Sequence, residues 1–405
     1  MSKLERLINE LCPNGVEWKL IGDVIDVSRG ASPRPISNYI TDSPQGIPWI
    51  KIGDVNPRSK FVTQTAQRIT SEGAKKSKQL KAGDFILSNS MSFGRPYILK
   101  IDGCIHDGWI SMSKFEGNLL PDYLYHILRT NNIQKYWAKS AGTGAVSNLN
   151  ADIVRKTLIP IPPLPVQEEI VRILDAFTSH AAELQAELQA RREQYEYYRN
   201  KLLSFEGNSS VEWKTIKDIC DKICSGGTPS TSNKDYYSGN IPWLRTQEVD
   251  WKDVYDTSLK ISEEAVSNSS AKIIPANCVI VAMYGATAAK SCINRIPLAT
   301  NQACCNLQIN KHIADYKYVY HFVCKEYESL KSLGEGSQSN LNAKKIKDYA
   351  IPIPPLSEQK RIVAILDKFE ALVNDLTEGL PAEIAARQEQ YEYYRDKLLN
   401  FPKAV

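Results

Sequence analysis

One stretch of this 405-residue chain occurs twice, and the duplication limits how the rest can fold. Residues 148–177 align with residues 340–369 at an offset of 192, with 17 identities in 30 positions. Residues 191–205 align with residues 387–401 at an offset of 196, with 12 identities in 15. The second copy therefore carries four extra residues in its middle. Identity at this level indicates an internal repeat around which the chain is organised.

The repeated stretch joins a proline-rich segment to a long helical pattern. Residues 159–165 (IPIPPLP) hold too much proline for a helix or a central strand, which predicts a stiff extended segment. Apolar residues then recur by alternating fours and threes, a heptad pattern that predicts a coiled-coil helix over 167–203. The second pattern slips by four residues at Gly379-Leu380-Pro381, where we expect a kink or break. An ordinary buried helix is the alternative interpretation.

An apolar seam of this length has to be covered, and its obvious cover is the other copy. The predicted seam residues are Ile170, Leu174, Phe177, Leu184, Leu188, Tyr195, Tyr198 and Leu202 in the first copy, and Ile362, Leu366, Phe369, Leu376, Ile384, Tyr391, Tyr394 and Leu398 in the second.

Composition excludes several classes of protein. No apolar run approaches the roughly 20 residues of a membrane span, and the N-terminus is charged, so no membrane association is expected. The nine cysteines show no zinc-binding spacing and the five histidines are scattered, which predicts reduced thiols, a cytoplasmic protein and no metal site. The net charge is +4, with Lys and Arg in excess outside the helical stretches. This excess is weak evidence for nucleic acid binding.

The repeat divides the chain into five segments in cyclic order. We predict a short N-terminal helix (1–13), a first domain (14–158), a first long helix (159–207), a second domain (208–350) and a distal helical repeat (351–405). The motif Val-Glu-Trp-Lys opens both domains. We therefore expect the N-terminal helix to take, beside the first domain, the place that the end of the first long helix takes beside the second.

The two domains share a skeleton but differ in detail. Gly30-Ala31-Ser32-Pro33 corresponds to Gly226-Gly227-Thr228-Pro229, a tight turn after a short strand. Similar strand-like runs and one amphipathic helix follow in each domain. We predict small α/β domains with mixed or antiparallel sheets, and hence an α+β chain.

Residues that would carry catalysis are not evident. The segment 285–291 resembles a phosphate-binding loop but lacks its second glycine, and its lysine comes one residue early. His106-Asp107 is an adjacent pair, more often a hydrogen-bonded turn than a catalytic dyad, and its counterpart Thr300-Asn301-Gln302 has neither residue. We therefore expect a chain that is not an enzyme and carries no cofactor of its own.

The two helical segments are nearly identical, which suggests that they perform the same task twice. The two domains differ, which suggests that each performs a different task. Two recognition domains that bind separate parts of one linear molecule fit this pattern, and DNA is the commonest such molecule. Two rival interpretations stay open: a stand-alone DNA-binding scaffold or regulator, and a scaffold that joins two protein-binding domains.

The motifs resemble those of the specificity (S) subunits of type I restriction–modification systems, over essentially the whole chain. They are the duplicated IPIPPL lead-ins, the QYEYYR-KLL-F helix ends, and the Gly-Gly-Thr-Pro and Ile-Pro-Trp motifs of the second domain. The tetrads of residues 181–188 (AAELQAEL) resemble the IC subfamily in particular. The first domain departs most, since its corresponding turn reads Arg29-Gly30-Ala31-Ser32-Pro33.

The resemblance implies two target recognition domains, each reading half of a bipartite DNA site, separated by two long helices in an antiparallel coiled coil. It also implies that modification subunits, two of them, dock on the coiled-coil seam. S-adenosylmethionine would come with those subunits, and ATP with Mg²⁺ with a separate restriction subunit.

Basic residues in the predicted loops are the candidates for DNA contact, because phosphates and base edges both attract them. They are Arg29, Arg34, Lys75, Lys76, Lys78 and Arg95 in the first domain, and Arg245, Lys290 and Arg295 in the second.

Overall fold

The computed structural model describes residues 2–56, 59–89, 93–115, 117–141, 148–334, 340–375 and 377–404. Over these residues the chain is α+β, as predicted, with two similar mixed-sheet domains and long helices. It divides into two compact units, residues 1–185 with 383–405 and residues 186–382. No helix in the described ranges combines the length and the apolar character that crossing a membrane requires.

The helices and strands up to the end of the first long helix are as follows: α1 (Lys3–Leu11), β1 (Glu17–Leu20), α2 (Ile21–Val24), β2 (Asp26–Arg29), β3 (Ile40–Thr41), β4 (Ile47–Ile50), β5 (Phe61–Val62), β6 (Gln67–Ile69), α3 (Ser71–Lys75), β7 (Lys78–Leu80), β8 (Phe85–Ser88), β9 (Pro96–Leu99), β10 (Gly103–Ile105), β11 (Trp109–Ser113), α4 (Pro121–Leu128), α5 (Asn131–Ser140), α6 (Ala151–Arg155), β12 (Leu158–Ile161) and α7 (Leu164–Leu202).

The remaining elements are β13 (Glu212–Thr215), β14 (Cys220–Ser225), β15 (Ile241–Leu244), β16 (Asp253–Val254), β17 (Lys260–Ile261), α8 (Glu263–Ser267), β18 (Ile273–Ile274), β19 (Val279–Ala282), β20 (Ser291–Asn294), β21 (Leu298–Thr300), β22 (Cys304–Ile309), α9 (Tyr316–Lys325), α10 (Tyr327–Ser332), α11 (Ala343–Lys347), β23 (Ala350–Ile353), α12 (Leu356–Asn374) and α13 (Leu380–Leu398).

The two domains share a sheet order, except that β3 of the first has no counterpart among the described residues of the second. In the first, the sheets run β2-β11-β8-β9-β5 and β3-β6-β4-β10-β7; in the second, β14-β22-β19-β20-β16 and β17-β15-β21-β18. The parallel pairs recur too, with β5–β9 and β4–β10 matching β16–β20 and β15–β21. The other pairs are antiparallel, so the sheets are mixed, as the sequence predicted.

The proline-rich lead-ins are strands of two-stranded sheets. β12 pairs antiparallel with β1, and β23 pairs antiparallel with β13, so each lead-in lies against the Val-Glu-Trp-Lys segment that opens its domain. Because proline donates no backbone hydrogen bond, a ribbon of two strands accommodates it better than a central position would.

A buried glutamine fixes the start of the long helix in each unit. Gln167 Nε2 donates to the carbonyl oxygens of Pro162 and Asn118, and its Oε1 accepts from Leu120 N, the residue that caps α4. Gln359 repeats this arrangement in the second unit, beside α9. An amide satisfied on both sides is stable when buried, so this residue ties each lead-in to its domain.

The distal helical repeat is broken where the sequence predicted. α12 ends at Asn374 and α13 begins at Leu380, with Pro381 in the first turn of the new helix. Proline is tolerated there because the first backbone N–H groups of a helix have no intrahelical partner.

The prediction for the N-terminal helix is wrong. The end of α13, not α1, takes beside the first domain the place that the end of α7 takes beside the second. Tyr391 lies 3.0 Å from His126 Nδ1, and its equivalent Tyr195 lies 3.4 Å from the equivalent His321 Nδ1. The chain order is cyclic, as predicted, but α1 lacks the repeated tyrosines that make this contact.

In the first unit, residues near the start of the chain also contact residues near its end. Val16 forms a parallel bridge with Lys403, and Val16 N donates to Pro402 O at 3.0 Å. Leu4, in α1, belongs to the same apolar core as Leu399 and Phe401. The first unit therefore needs residues from the end of the chain for a complete core.

Candidate nucleic-acid interface and helix seam

Three strand ends meet at one edge of the first domain. Because β2 and β8 are both antiparallel to β11, the end of β2 at Arg29, the start of β11 and the end of β8 lie together. The turn between β10 and β11 carries His106 and Asp107 to the same place. A cavity of about 380 Å³ opens there, lined by Arg29, Asn89, Asp107 and Asn148 among others. Its polar lining suits hydrogen bonding to nucleic acid.

Asp107 connects the polar groups of this edge. Its carbonyl oxygen accepts from Arg29 Nε at 3.1 Å and from Asn89 Nδ2 at 3.2 Å. Its carboxylate accepts from Ser32 Oγ at 2.9 Å and from Arg34 at 3.1 Å. The hydrogen bond from Ser32, aided by Arg34, lowers the pKa of Asp107, so the carboxylate is ionised at neutral pH. Arg29 and Arg34, two of the candidates for DNA contact, are thus oriented by a residue that was not itself a candidate.

His106 completes a hydrogen-bonded turn, as the sequence indicated. Its Nε2 lies 3.1 Å from the Ile52 backbone nitrogen, and its Nδ1 lies 2.6 Å from that of Gly108. Burial lowers the pKa of His106, which favours the neutral ring.

The predicted lysines of the first domain occupy a neighbouring region, and Arg95 does not. Lys75 ends α3, Lys76 hydrogen-bonds to Tyr39 and lies over its ring, and Lys78 begins β7 within 4.0 Å of Asp26. Arg95 instead lines a cleft of about 620 Å³ shared with α7 and α13 residues of the same unit. These assignments to DNA contact stay predictions, and Arg95 stands apart from the other five.

The three candidates of the second domain are all paired with acidic residues. Arg245 lies 3.6 Å from Glu248, and Lys290 lies 2.6 Å from Asp250 while resting over the ring of Trp251. Arg295 contacts Asp253 at 2.6 Å and donates to Asn277 and Tyr316; its side chain is 19% exposed. Arg295 is therefore built into the domain, which makes it the weakest of the nine candidates.

The seam residues pack within each unit. In the first, Phe177 of α7 stacks on Tyr394 of α13 with ring centroids 5.4 Å apart. In the second, Tyr198 of α7 stacks on Phe369 of α12 at 5.5 Å. Phe177 and Phe369 are equivalent positions of the repeat, as are Tyr394 and Tyr198. The same aromatic contact therefore occurs once in each unit.

Burial varies along the predicted seam, and Leu376 lies outside the described residues. Tyr394 is 39% exposed despite its stacking contact. Buried positions are Ile170, Leu174, Leu184, Tyr195, Ile362, Leu366 and Tyr391; partly buried positions are Phe177, Leu188, Tyr198, Leu202, Phe369, Ile384 and Leu398.

A His-Asp-Tyr network anchors the first domain to its helices. His126 of α4 is fully buried; its Nε2 lies 2.8 Å from Asp175 of α7, and its Nδ1 accepts from Tyr391 of α13. Lys60 Nζ lies 3.1 Å from Asp175. Burial alone would raise the pKa of Asp175, but His126 and Lys60 outweigh it and the pKa is lowered. Burial lowers the pKa of His126, so the ring is neutral.

The second domain repeats the network with His321, Asp367 and Tyr195, where Lys317 supplies the cation. Glu370 adds a third possible metal ligand, with ligand atoms of His321, Asp367 and Glu370 all within 4.8 Å of one another. Asp367 is already paired with both His321 and Lys317. These pairings account for the closeness of His321 and Asp367.

Three residues of the duplicated helix ends are exposed and identical. Tyr197 is 58% exposed and its equivalent Tyr393 is 61% exposed. Glu193 and Lys201, four residues to either side of Tyr197, match Glu389 and Lys397. Because residues four apart share a helix face, the three form one stripe on each helix. We call these the Glu-Tyr-Lys stripes.

The family model of the type I restriction modification DNA specificity domain matches this chain twice, over residues 13–193 and 208–386. The chain therefore belongs to the family of type I restriction–modification specificity proteins.

Particular relatives agree. The chain is similar to the EcoR124I/EcoR124II specificity subunit of Escherichia coli, with 42% identity over 262 residues, 62% of this chain and 64% of that protein. It is 36% identical over 303 residues to a putative type I specificity subunit of Haemophilus influenzae, covering 69% of this chain and 72% of that one.

Solved structures share the fold. A chain from a study of complex assembly and conformational transition of the type I R-M system matches with a TM-score of 0.66 at 18% identity, over 96% of this chain and 98% of that chain. The HsdS subunit from Thermoanaerobacter tengcongensis matches with a TM-score of 0.52 at 17% identity, over 96% and 97%.

Proposed function

We propose that this chain is the DNA sequence-recognition subunit of a type I restriction–modification complex, with each domain reading one half of a bipartite site. One observation carries the proposal: two domains of the same sheet order present different polar residues, while the helix ends beside them present the same exposed residues. Surfaces that differ suit two different half-sites. Surfaces that repeat suit two copies of one partner.

The Glu-Tyr-Lys stripes support docking of two modification subunits, one on each unit. Packing constrains the identity of buried residues, but it does not require identical residues at exposed positions such as Tyr197 and Tyr393. Tyrosine is enriched at the centre of protein interfaces, and acidic and basic side chains on either side of it suit the polar rim. A partner present twice would account for keeping the same residues at both positions.

The chemistry would belong to the partners. S-adenosylmethionine would bind to the modification subunits, and ATP with Mg²⁺ to restriction subunits, while this chain supplies recognition in the cytoplasm where the DNA lies. Membership of the IC-like subfamily is part of the proposal and rests on the tetrads of residues 181–188.

Reconstitution tests this function. The purified chain, a modification subunit and both together are compared for binding to genomic DNA fragments and for transfer of labelled methyl groups. We expect a bipartite methylated motif from the complex and no methyl transfer by the chain alone. Transfer by the chain alone would contradict the recognition role. Tight sequence-specific binding without a modification subunit would favour a stand-alone DNA-binding regulator.

Single substitutions in the stripes test the docking. Tyr197→Ala and Tyr393→Ala are each expected to remove one modification subunit in native mass spectrometry, and together to remove both. The matched controls are Arg192→Ala and Gln388→Ala, at exposed positions that differ between the copies. Full assembly of the double tyrosine variant would refute docking through the stripes.

A further inference from the structure

Both domains make the same contact at the same edge but with different chemistry. In the first, the hydroxyl of Ser32, on the turn after β2, donates to Asp107, on the turn before β11. In the second, the hydroxyl of Thr228, on the turn after β14, donates to Gln302, on the turn before β22. β2 and β11 correspond to β14 and β22 in the sheet order. Asp107 and Gln302 are therefore structural equivalents.

A glycine sets the close approach of the two turns in each domain. A Cβ added to Gly30 would lie 2.1 Å from the His106 carbonyl oxygen, and one added to Gly226 would lie 2.0 Å from that of Thr300. Only glycine leaves room for a carbonyl oxygen at that distance. Backbone hydrogen bonds at equivalent positions, from Ala31 N to Ile105 O and from Gly227 N to Thr300 O, join the two turns in both domains, and the residue presented there is exchanged from an aspartate to a glutamine.

The exchanged side chains keep free hydrogen-bonding capacity at the surface. Asp107 is 38% exposed, and its carboxylate offers more lone pairs than the contacts with Ser32 and Arg34 use. Gln302 is exposed, and its contact with Thr228 uses one lone pair of an amide that has two N–H donors and a second lone pair. Carboxylates accept from base amino groups such as cytosine N4, whereas glutamine pairs with both N6 and N7 of adenine.

The surroundings of Asp107 suit a base-reading position. The polar cavity beside it is lined by Arg29, Asn89 and Asn148, and Arg34, 81% exposed, lies on its carboxylate. A cation beside the carboxylate reduces its repulsion from phosphates, and an exposed guanidinium can itself contact a phosphate.

We propose that Asp107 and Gln302 are equivalent specificity-determining residues, each reading one base pair of its own half-site in the major groove. Asp107 accepts from the exocyclic amino group of cytosine, and Gln302 pairs with adenine. The proposal rests on the proposed function, because it requires each domain to read a half-site.

Reciprocal substitutions test it in the complex with the modification subunit, read out as methylated motifs mapped on genomic DNA. Asp107→Asn is expected to move one position of one half-site toward adenine, and Gln302→Glu one position of the other toward cytosine. The rate of methylation should change roughly 5- to 150-fold between the old and new base. Each variant leaves the other half-site unchanged, so every complex carries its own control.

Two further variants show whether Asp107 contacts the base directly or acts through Arg34. Arg34→Ala is expected to lower affinity for all sequences while leaving the motif intact, as a phosphate contact would. The same altered base position in Arg34→Ala as in Asp107→Asn would overturn direct reading by Asp107. Gln302→Glu changes an exposed side chain, so it decides the matter if Asp107→Asn lowers the stability of its domain.

Failure of the inference differs from failure of the function. A wild-type complex that yields a bipartite motif, together with variants that yield the same motif, would overturn the assignment of Asp107 and Gln302 alone. A wild-type complex without any sequence-specific methylation would overturn the proposed function itself.

Discussion

Removing the end of the chain should unfold its beginning. A chain that stops at Ala382 keeps all of the second unit and loses the part of α13 that completes the first. The lost segment includes Tyr391, Leu399 and Phe401, which are 2%, 4% and 7% exposed and belong to the core of the first unit. At about 1.5–3 kcal/mol for each buried side chain, their loss costs roughly 5–9 kcal/mol.

A loss of this size is comparable to the whole stability of a typical domain, about 5–15 kcal/mol. Hydrogen–deuterium exchange of the full chain and the truncated chain reports on each unit separately. We expect exchange throughout residues 14–158 to become fast in the truncated chain, while residues 208–350 keep their protection. A peptide of residues 383–405, added in excess, should restore protection to the first domain.

Deleting α1 is the matched control at the other end. It removes residues 2–11, of which Leu4 is buried, together with the ion pair between Lys3 and Glu169. The expected loss is about 2–3 kcal/mol, from one buried side chain and a partly exposed ion pair. Equal protection of the first domain in the full chain and the chain ending at Ala382 would refute the cyclic closure of the first unit.

Three further predictions concern the anchors and the long helix. Tyr391→Phe leaves His126 Nδ1 buried without its donor and should cost the first unit about 1–3 kcal/mol in thermal unfolding, more than Tyr195→Phe costs the second, where the oxygen–nitrogen distance is longer. Because burial lowers the pKa of His126, the folded state binds fewer protons than the unfolded one below about pH 6.5. The stability of the first unit should therefore decrease as the pH is lowered below about 6.5. An unchanged melting temperature between pH 7 and pH 5 would contradict a buried neutral imidazole. Inserting Gln-Ala-Glu-Leu after Leu184 lengthens the continuous helix α7 by about 6 Å, so methylome mapping should give the same half-sites with a spacer longer by one or two base pairs; an unchanged spacer would contradict the role of α7 in setting it.

Local periodicity made the helical parts of this chain predictable. The heptad pattern predicted α7 over 167–203, and the structure has it over Leu164–Leu202. The four-residue slip with Gly379 and Pro381 predicted the break between α12 and α13. Both features are determined by residues close together along the chain, so the pattern of residue types was enough to predict them.

Contacts between distant segments were harder to predict. The first domain packs against residues 390–401, but sequence order suggests α1, the nearest helix along the chain, as its partner. Gln167 and Gln359 stand in the repeated motif but gave no sign of being buried, since glutamine is ordinarily exposed. Their repetition at an offset of 192 was the available signal, because a polar residue kept in both copies inside an apolar stretch needs a reason.

The edge residues illustrate the opposite difficulty. Asp107 and Gln302 differ between the copies, so no search for repeated residues would select them. Basic residues were chosen as candidates for DNA contact because phosphate attraction depends on charge, which composition reveals. The proposal for Asp107 and Gln302 depends instead on which hydrogen-bonding groups a turn presents, and the structure is needed to place Ser32 beside Asp107 and Thr228 beside Gln302.

The repeated and the exchanged residues together define what a recognition domain needs in this architecture. Each domain offers one helix, α4 or α9, whose N-cap residue (Leu120 or Asp315) donates its backbone N–H to the buried glutamine. The tyrosine of that helix (Tyr123 or Tyr318) donates to a carbonyl of the lead-in, and its histidine meets an aspartate and a tyrosine of the long helices. These contacts lie on a different part of the domain from the edge at Asp107 or Gln302. A change at that edge therefore leaves the anchors intact, so the residues proposed to read bases can be exchanged without altering how the domain is held.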